Sequence, residues 1–162
     1  MDSTRREWMR NVWAAGAAGD HPGWADLAWY AVDGSGRVGL FTSAGPGPVP
    51  RAMFRDLDAY LTLGEHLCAL PVLGKPELLI RYPRPDDFRD AAARGLFAFN
   101  FVGGSPPAGG YRLVARPSVV LAVDTLPEWV RGMLGEVCFT RESFAATADR
   151  AVDLSGIRSQ ML

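Results

Sequence analysis

The sequence predicts a single α+β domain over residues 1–152, an antiparallel sheet of two hairpins with amphipathic helices packed mainly on one face. Residues 153–162 are expected as a C-terminal tail. Three observations carry this expectation. Two apolar runs, Ala28 to Val32 and Val38 to Phe41, flank Asp33-Gly34-Ser35-Gly36. Asp-Gly between apolar runs is a strong hairpin signal, because Gly takes positive φ without steric penalty. Leu96 to Val102 alternates with period two and sets Phe97, Phe99 and Phe101 on one side, as a half-buried strand requires. Met53, Phe54, Leu57, Tyr60, Leu61, Gly64, Leu67 and Cys68 recur at steps of three and four, the spacing of one helix face. No repeat, linker or low-complexity tract divides the chain, so one domain is expected.

Taken in order, the first element is a helix. Thr4 and Glu7 have capping-box spacing, and Trp8, Met9, Val12, Trp13 and Ala15 follow at helical intervals toward an end near Ala14 to Gly19. Core packing is the expectation for Trp8, Trp13 and Trp129, with Trp24 and Trp29 partly exposed beside the hairpin. After the hairpin, Ala44 to Pro50 is a Gly/Pro loop in which a strand cannot continue. From Pro50 a helix of about five turns runs to Pro71. Leu78 to Tyr82 reads as a strand, and Asp86 caps a short helix through Arg94 that Gly95 ends. Leu96 to Val102 then pairs with Tyr111 to Arg116 across the loop Gly103 to Gly110. Ser118 to Val123 extends the sheet. Thr125 and Glu128 box a helix closed by Gly135, and Thr140 opens a final helix to about Val152.

Composition bounds the function. With 162 residues and 48% hydrophobic content the chain has enough apolar surface for a core without staples. A net charge of −1, with Lys75 as the sole Lys, argues against nucleic-acid binding, which needs clustered cations. No apolar leader or stretch of ~18 apolar residues is present, so a cytoplasmic, non-membrane protein is expected. Cys68 and Cys138 are expected as buried thiols.

The chemistry-bearing residues form no catalytic constellation. A zinc site needs about four ligands and the chain holds two His and two Cys in total, of which His66 and Cys68 lie roughly 200° apart on a predicted helix and so cannot share a metal there. No metal and no cofactor is expected. His21 and His66 read as surface residues. The Gly103 to Gly110 loop lacks the Lys-Ser/Thr ending of a phosphate loop and joins two strands. Asp86, Asp87 and Asp90 are explained by their position at a helix N-terminus. Arg81, Tyr82 and Arg84 form a basic-aromatic patch too small for a nucleic-acid site.

The run Trp29-Tyr30-Ala31-Val32-Asp33 to Gly36, then Val38 to Thr42 and Gly45 to Pro50, precedes a helix. Tyr111-Arg112-Leu113-Val114-Ala115-Arg116-Pro117 is followed by Leu126-Pro127. Together these resemble a group of uncharacterised bacterial proteins, some similar to immunity-type proteins of polymorphic toxin systems. The resemblance implies a non-enzymatic, bacterial protein-binding domain and carries no catalytic residue with it. The near-zero net charge departs from the acidic face common against basic nuclease toxins.

Another protein is therefore the expected partner. Trp29, Tyr30 and the loop Ala44 to Val49, with Gly45 and Gly47, are expected to share one contact face edged by Arg112 and Arg116. Core packing of Trp29 and Tyr30, with a loop that only reverses the chain, is the competing expectation. A small enzyme or small-ligand-binding domain with a pocket near the first hairpin is the alternative function.

Overall fold

In a computed structural model, which describes residues 2–104 and 109–162, six strands form one mixed sheet with four α-helices among the described residues. The chain runs α1 (Ser3–Ala18), β1 (Ala28–Asp33), β2 (Val38–Thr42), α2 (Leu57–Cys68), β3 (Pro76–Leu78), α3 (Asp86–Ala93), β4 (Phe97–Val102), β5 (Gly110–Pro117), α4 (Glu128–Gly135) and β6 (Cys138–Phe139). Strand order is β3-β5-β4-β2-β1-β6. Residues 105–108 of the expected loop Gly103 to Gly110 lie outside the described residues.

The sheet is mixed where an antiparallel one was expected. β1 pairs with β2, and β4 with β5 and β5 with β3, all antiparallel. The central seam between β2 and β4 is parallel, as is the contact of β6 with β1. The reason lies in the connection. Between β2 and β4 the chain passes through α2, β3 and α3, and a crossover of that length lets the incoming strand align parallel.

Each face of the sheet carries its own core. On one face Trp29, Phe41 and Phe99 sit in register on three adjacent strands. Their rings stack in a row, with centroids 4.1 and 4.5 Å apart. Phe144 packs edge-on against Phe41 and Phe99, and α1 covers the cluster with Val12 and Trp13. On the other face Val38 and Leu40 meet Leu63 and Leu67 of α2 and Val130 and Leu134 of α4, while Ala92 of α3 packs with Ala98 and Val114. α2, α3 and α4 thus pack on one face and α1 on the other, so both faces are covered. For the same reason Ala98, between two phenylalanines of β4, is as buried as they are.

Local differences have local causes. Asp2, not Thr4, caps α1, its Oδ1 accepting from Arg5 N at 2.8 Å. The helix expected from Pro50 is broken at Asp56, which is extended and caps α2 through Ala59 N at 3.0 Å. Before the break, Arg51–Arg55 is a 3-10 turn. The third strand is shorter and earlier than Leu78 to Tyr82, at Pro76–Leu78. Ser118 to Val123 is no strand. Only Ala122 bridges to Arg37, and Val119 and Val120 are exposed. α4 starts after Pro127 without a side-chain cap.

No helix follows Thr140; a 3-10 turn at Phe144–Ala146 stands instead. Side-chain bonds hold that segment. Phe144 N donates to Asp33 Oδ2 at 2.8 Å, and the buried Glu142 carboxylate takes both Arg150 nitrogens at 3.0 and 2.9 Å. Residues 153–162 are not a free tail either. Val49 and Leu162 exchange backbone bonds at 3.2 and 2.9 Å, and Arg51 N donates to Gln160 O at 2.7 Å. Both cysteines are free thiols, but neither is fully buried as expected, Cys68 being exposed and Cys138 half-buried. No helix among the described residues is long and apolar enough to cross a membrane.

Candidate functional site

The six residues expected at one contact face do not share one. Trp29 is 0% exposed and anchors the core. Its Nε1 donates to the Tyr111 hydroxyl at 3.0 Å, which donates in turn to Pro48 O at 2.8 Å. Burial pushes the Tyr111 phenol pKa up, so it remains a donor. Tyr30, one residue along β1, faces the opposite side of the sheet and packs against the α2 and α4 core. Gly47 is buried, and a Cβ there would stand 2.6 Å from Ser43 O and 2.7 Å from the Phe101 ring. Arg112 Nη1 approaches Asp149 O at 3.5 Å. Arg116 holds Glu77 through two bonds of 2.7 and 3.0 Å, at the β3–β5 edge.

The loop Ser43 to Pro50 is braced by hydrogen bonds to neighbouring segments. Ser43 Oγ accepts from Leu27 N at 2.9 Å and from Gly45 N at 3.3 Å. Ala44, at φ 49, donates its N–H to Asp26 Oδ1 at 2.8 Å, and His21 Nε2 lies 3.0 Å from Gly47 O. These bonds tie the loop to residues 20–27, and that segment carries Trp24. Trp24 is 61% exposed and meets Trp8, 40% exposed, edge-to-face with centroids 5.8 Å apart. Two exposed indoles therefore stand on α1 and on a segment braced against Gly45 and Gly47. Sequence reasoning assigned Trp8 to the core. A helical wheel contained the contrary signal, because Trp8 falls roughly 90° from the centre of the Met9, Val12, Trp13 and Gly16 stripe at 100° per residue.

A second feature lies on the opposite face of the sheet. The β1–β2 pair, the end of α2 and the outer side of α3 enclose a cavity of about 260 Å³. Tyr30, Thr42, Cys68, Asp87, Asp90 and Arg94 supply its polar groups. Burial raises the Tyr30 pKa first, then the neighbouring Cys68 thiol and then the Asp87 charge, so the phenol stays protonated. Thr42 Oγ1 donates to Asn100 Oδ1 at 2.7 Å, and Asn100 Nδ2 donates to the Tyr82 hydroxyl at 3.1 Å. His66 stacks edge-on against Trp129 at 5.3 Å. Among the described residues no three His, Cys, Asp or Glu side chains gather to hold a metal ion.

No protein-family model, no curated protein and no solved structure matches the chain.

Proposed function

We propose that this chain works by binding another protein, with Trp8, Trp24 and the adjoining loop Ala44 to Val49 at the centre of the contact face. The Trp8–Trp24 pair carries the reading. Its indoles are 40% and 61% exposed yet are fixed against each other at 5.8 Å on braced backbone. Tryptophan is the residue most enriched at binding hot spots, since it removes a large apolar area from water and has only two rotatable side-chain bonds to order. An immunity-type protein that neutralises a toxin is the form of this role favoured by the resemblance of Trp29 to Pro50. Gly45 and Gly47 shape the loop, whereas Trp29 supports the face from within the core.

Co-expression with the product of the adjacent gene tests the proposal. The two chains should co-purify, and Trp24→Ala should weaken the complex by about thirtyfold, the effect of a ~2 kcal/mol hot spot. The variant's melting temperature should stay at the wild-type value. Wild-type affinity in a folded Trp8→Ala/Trp24→Ala double variant would remove this face. The cavity at Tyr30 favours a second, compatible reading, small-ligand binding near the first hairpin.

A further inference from the structure

Arg94 follows the last turn of α3 and lines the cavity behind the first hairpin. Its Nη1 donates to Asp90 O at 3.0 Å, but its Nε is buried and meets no acceptor among the described residues. One other buried side-chain polar atom among them, His66 Nε2, is left in that state, and His66 is not part of the cavity wall. Folded chains pair nearly all such groups, because an unmet buried donor has given up its bond to water for nothing. The polar neighbours in the wall are engaged. Thr42 Oγ1 donates to Asn100 Oδ1 at 2.7 Å, and the Tyr30 hydroxyl is hydrogen-bonded with the Cys68 thiol. Leu40 of β2, Leu67 of α2, Ala91 of α3 and Leu96 make the rest of the wall apolar. The cavity thus sets one unused donor beside a hydrocarbon surface.

We propose that this cavity binds a small, neutral, mostly apolar molecule through one carbonyl oxygen, which accepts from Arg94 Nε. The proposal rests on the small-ligand reading of the cavity and adds the chemistry it selects. Arg94 is half-buried, and a small rotation of its side chain turns the Nε–H to the ligand. The charges of the wall decide against an ion. Asp87 and Asp90 outnumber Arg94, which disfavours an anion, and the unmet group is a donor, which a cation cannot satisfy. A volume of about 260 Å³ sits below the ~300 Å³ at which drug-sized pockets begin, so the occupant is small.

Cys68 lines this cavity while Cys138 lies on β6, so the two thiols give a built-in probe and control. Iodoacetamide labelling of the full chain, followed by mass spectrometry, reads both at once. Acetophenone should slow labelling of Cys68 and leave Cys138 unchanged. It should protect at least as well as ethylbenzene, which lacks the oxygen, although water holds the ketone more strongly than the hydrocarbon. Arg94→Met puts a methyl group near the Nε position; it should weaken acetophenone about tenfold, the loss of one hydrogen bond, and leave ethylbenzene as it was. Ethylbenzene protecting the wild-type chain at tenfold lower concentration than acetophenone would overturn the hydrogen bond to Arg94 and leave the small-ligand reading standing. Better protection by benzoate than by acetophenone would overturn the choice of a neutral ligand. Absence of Cys68 protection by all three compounds at saturation would overturn the proposal and the small-ligand reading together.

Discussion

At the scale of single residues, Asp33 does more than its place in the turn suggests. Its Oδ1 accepts from Ser35 N at 2.9 Å and Arg37 N at 3.0 Å, and its Oδ2 takes Phe144 N across 111 residues of sequence. The side chain is buried, and the Arg37 guanidinium is 3.9 Å from it. One carboxylate thus shapes the hairpin and fastens a distant segment to it. Asp33→Ala should lower unfolding free energy in urea by about 3 kcal/mol or more, since three donors lose a charged acceptor. Asp33→Asn keeps one acceptor oxygen but turns an NH2 group toward a donor on the other side, so it should lose a comparable amount. The sequence marks Asp33 as a turn residue because Asp-Gly is a local signal. Its bond to Phe144 could not be read, because no spacing rule links positions 111 apart. The site residues divide in the same way. Tyr30 lies beside a cavity and Gly45 in a braced loop, on different faces of the sheet, whereas Trp29 turned inward because it falls in register with Phe41 and Phe99.

At the scale of elements, periodicity was most legible where one side of a segment is buried. α1, β1, β2, β4, β5 and α4 stand close to where turn residues and spacing put them. The expected helix after Thr140 failed because the Phe144 backbone N–H is taken by Asp33 and because Glu142 pairs with Arg150 across the segment. The long helix after Pro50 failed at Asp56, whose side chain offers the next turn a better start than the preceding residues offer a continuation. The seam between α1 and the 3-10 turn at Arg51–Arg55 permits a sharper test. Gly16 faces Phe54, and an added Cβ would stand 2.4 Å from the Phe54 ring. Gly-to-Ala inside a helix ordinarily gains ~1 kcal/mol, and overpacking a core ordinarily loses ~1–3 kcal/mol. Phe54 is buried, and its ring would have to shift off the core to admit the methyl group. Gly16→Ala should therefore destabilise the chain in urea unfolding; a net gain would show that the seam is loosely packed.

At the scale of the whole molecule, residues 153–162 act as a strap. Ile157, Met161 and Leu162 pack on the Trp29 core, and Arg158 N donates to Cys138 O at 3.0 Å. Deleting residues 157–162 would expose apolar area worth roughly 3 kcal/mol, and the melting temperature should fall by about 10 °C. A frayed tail, as composition suggested, would produce no change in calorimetry. The sheet's overall order was the least legible feature. Local pairing signals identify which runs are strands, but they do not say that β4 would join β2 in parallel or that β6 would reach β1.

That parallel seam has a consequence in time. The β1–β2 pair needs only the few residues of its turn to close, an event of about 1–10 μs. β4 meets β2 only after the intervening chain has looped around, and Phe144 meets Asp33 only after a loop of 111 residues has done the same. Such closures add loop entropy to the folding barrier and should place the rate well below that of hairpin closure, among mixed α/β domains. Burial of Trp29, followed by stopped-flow fluorescence during refolding, should therefore lag well behind hairpin closure, because it waits for those two closures.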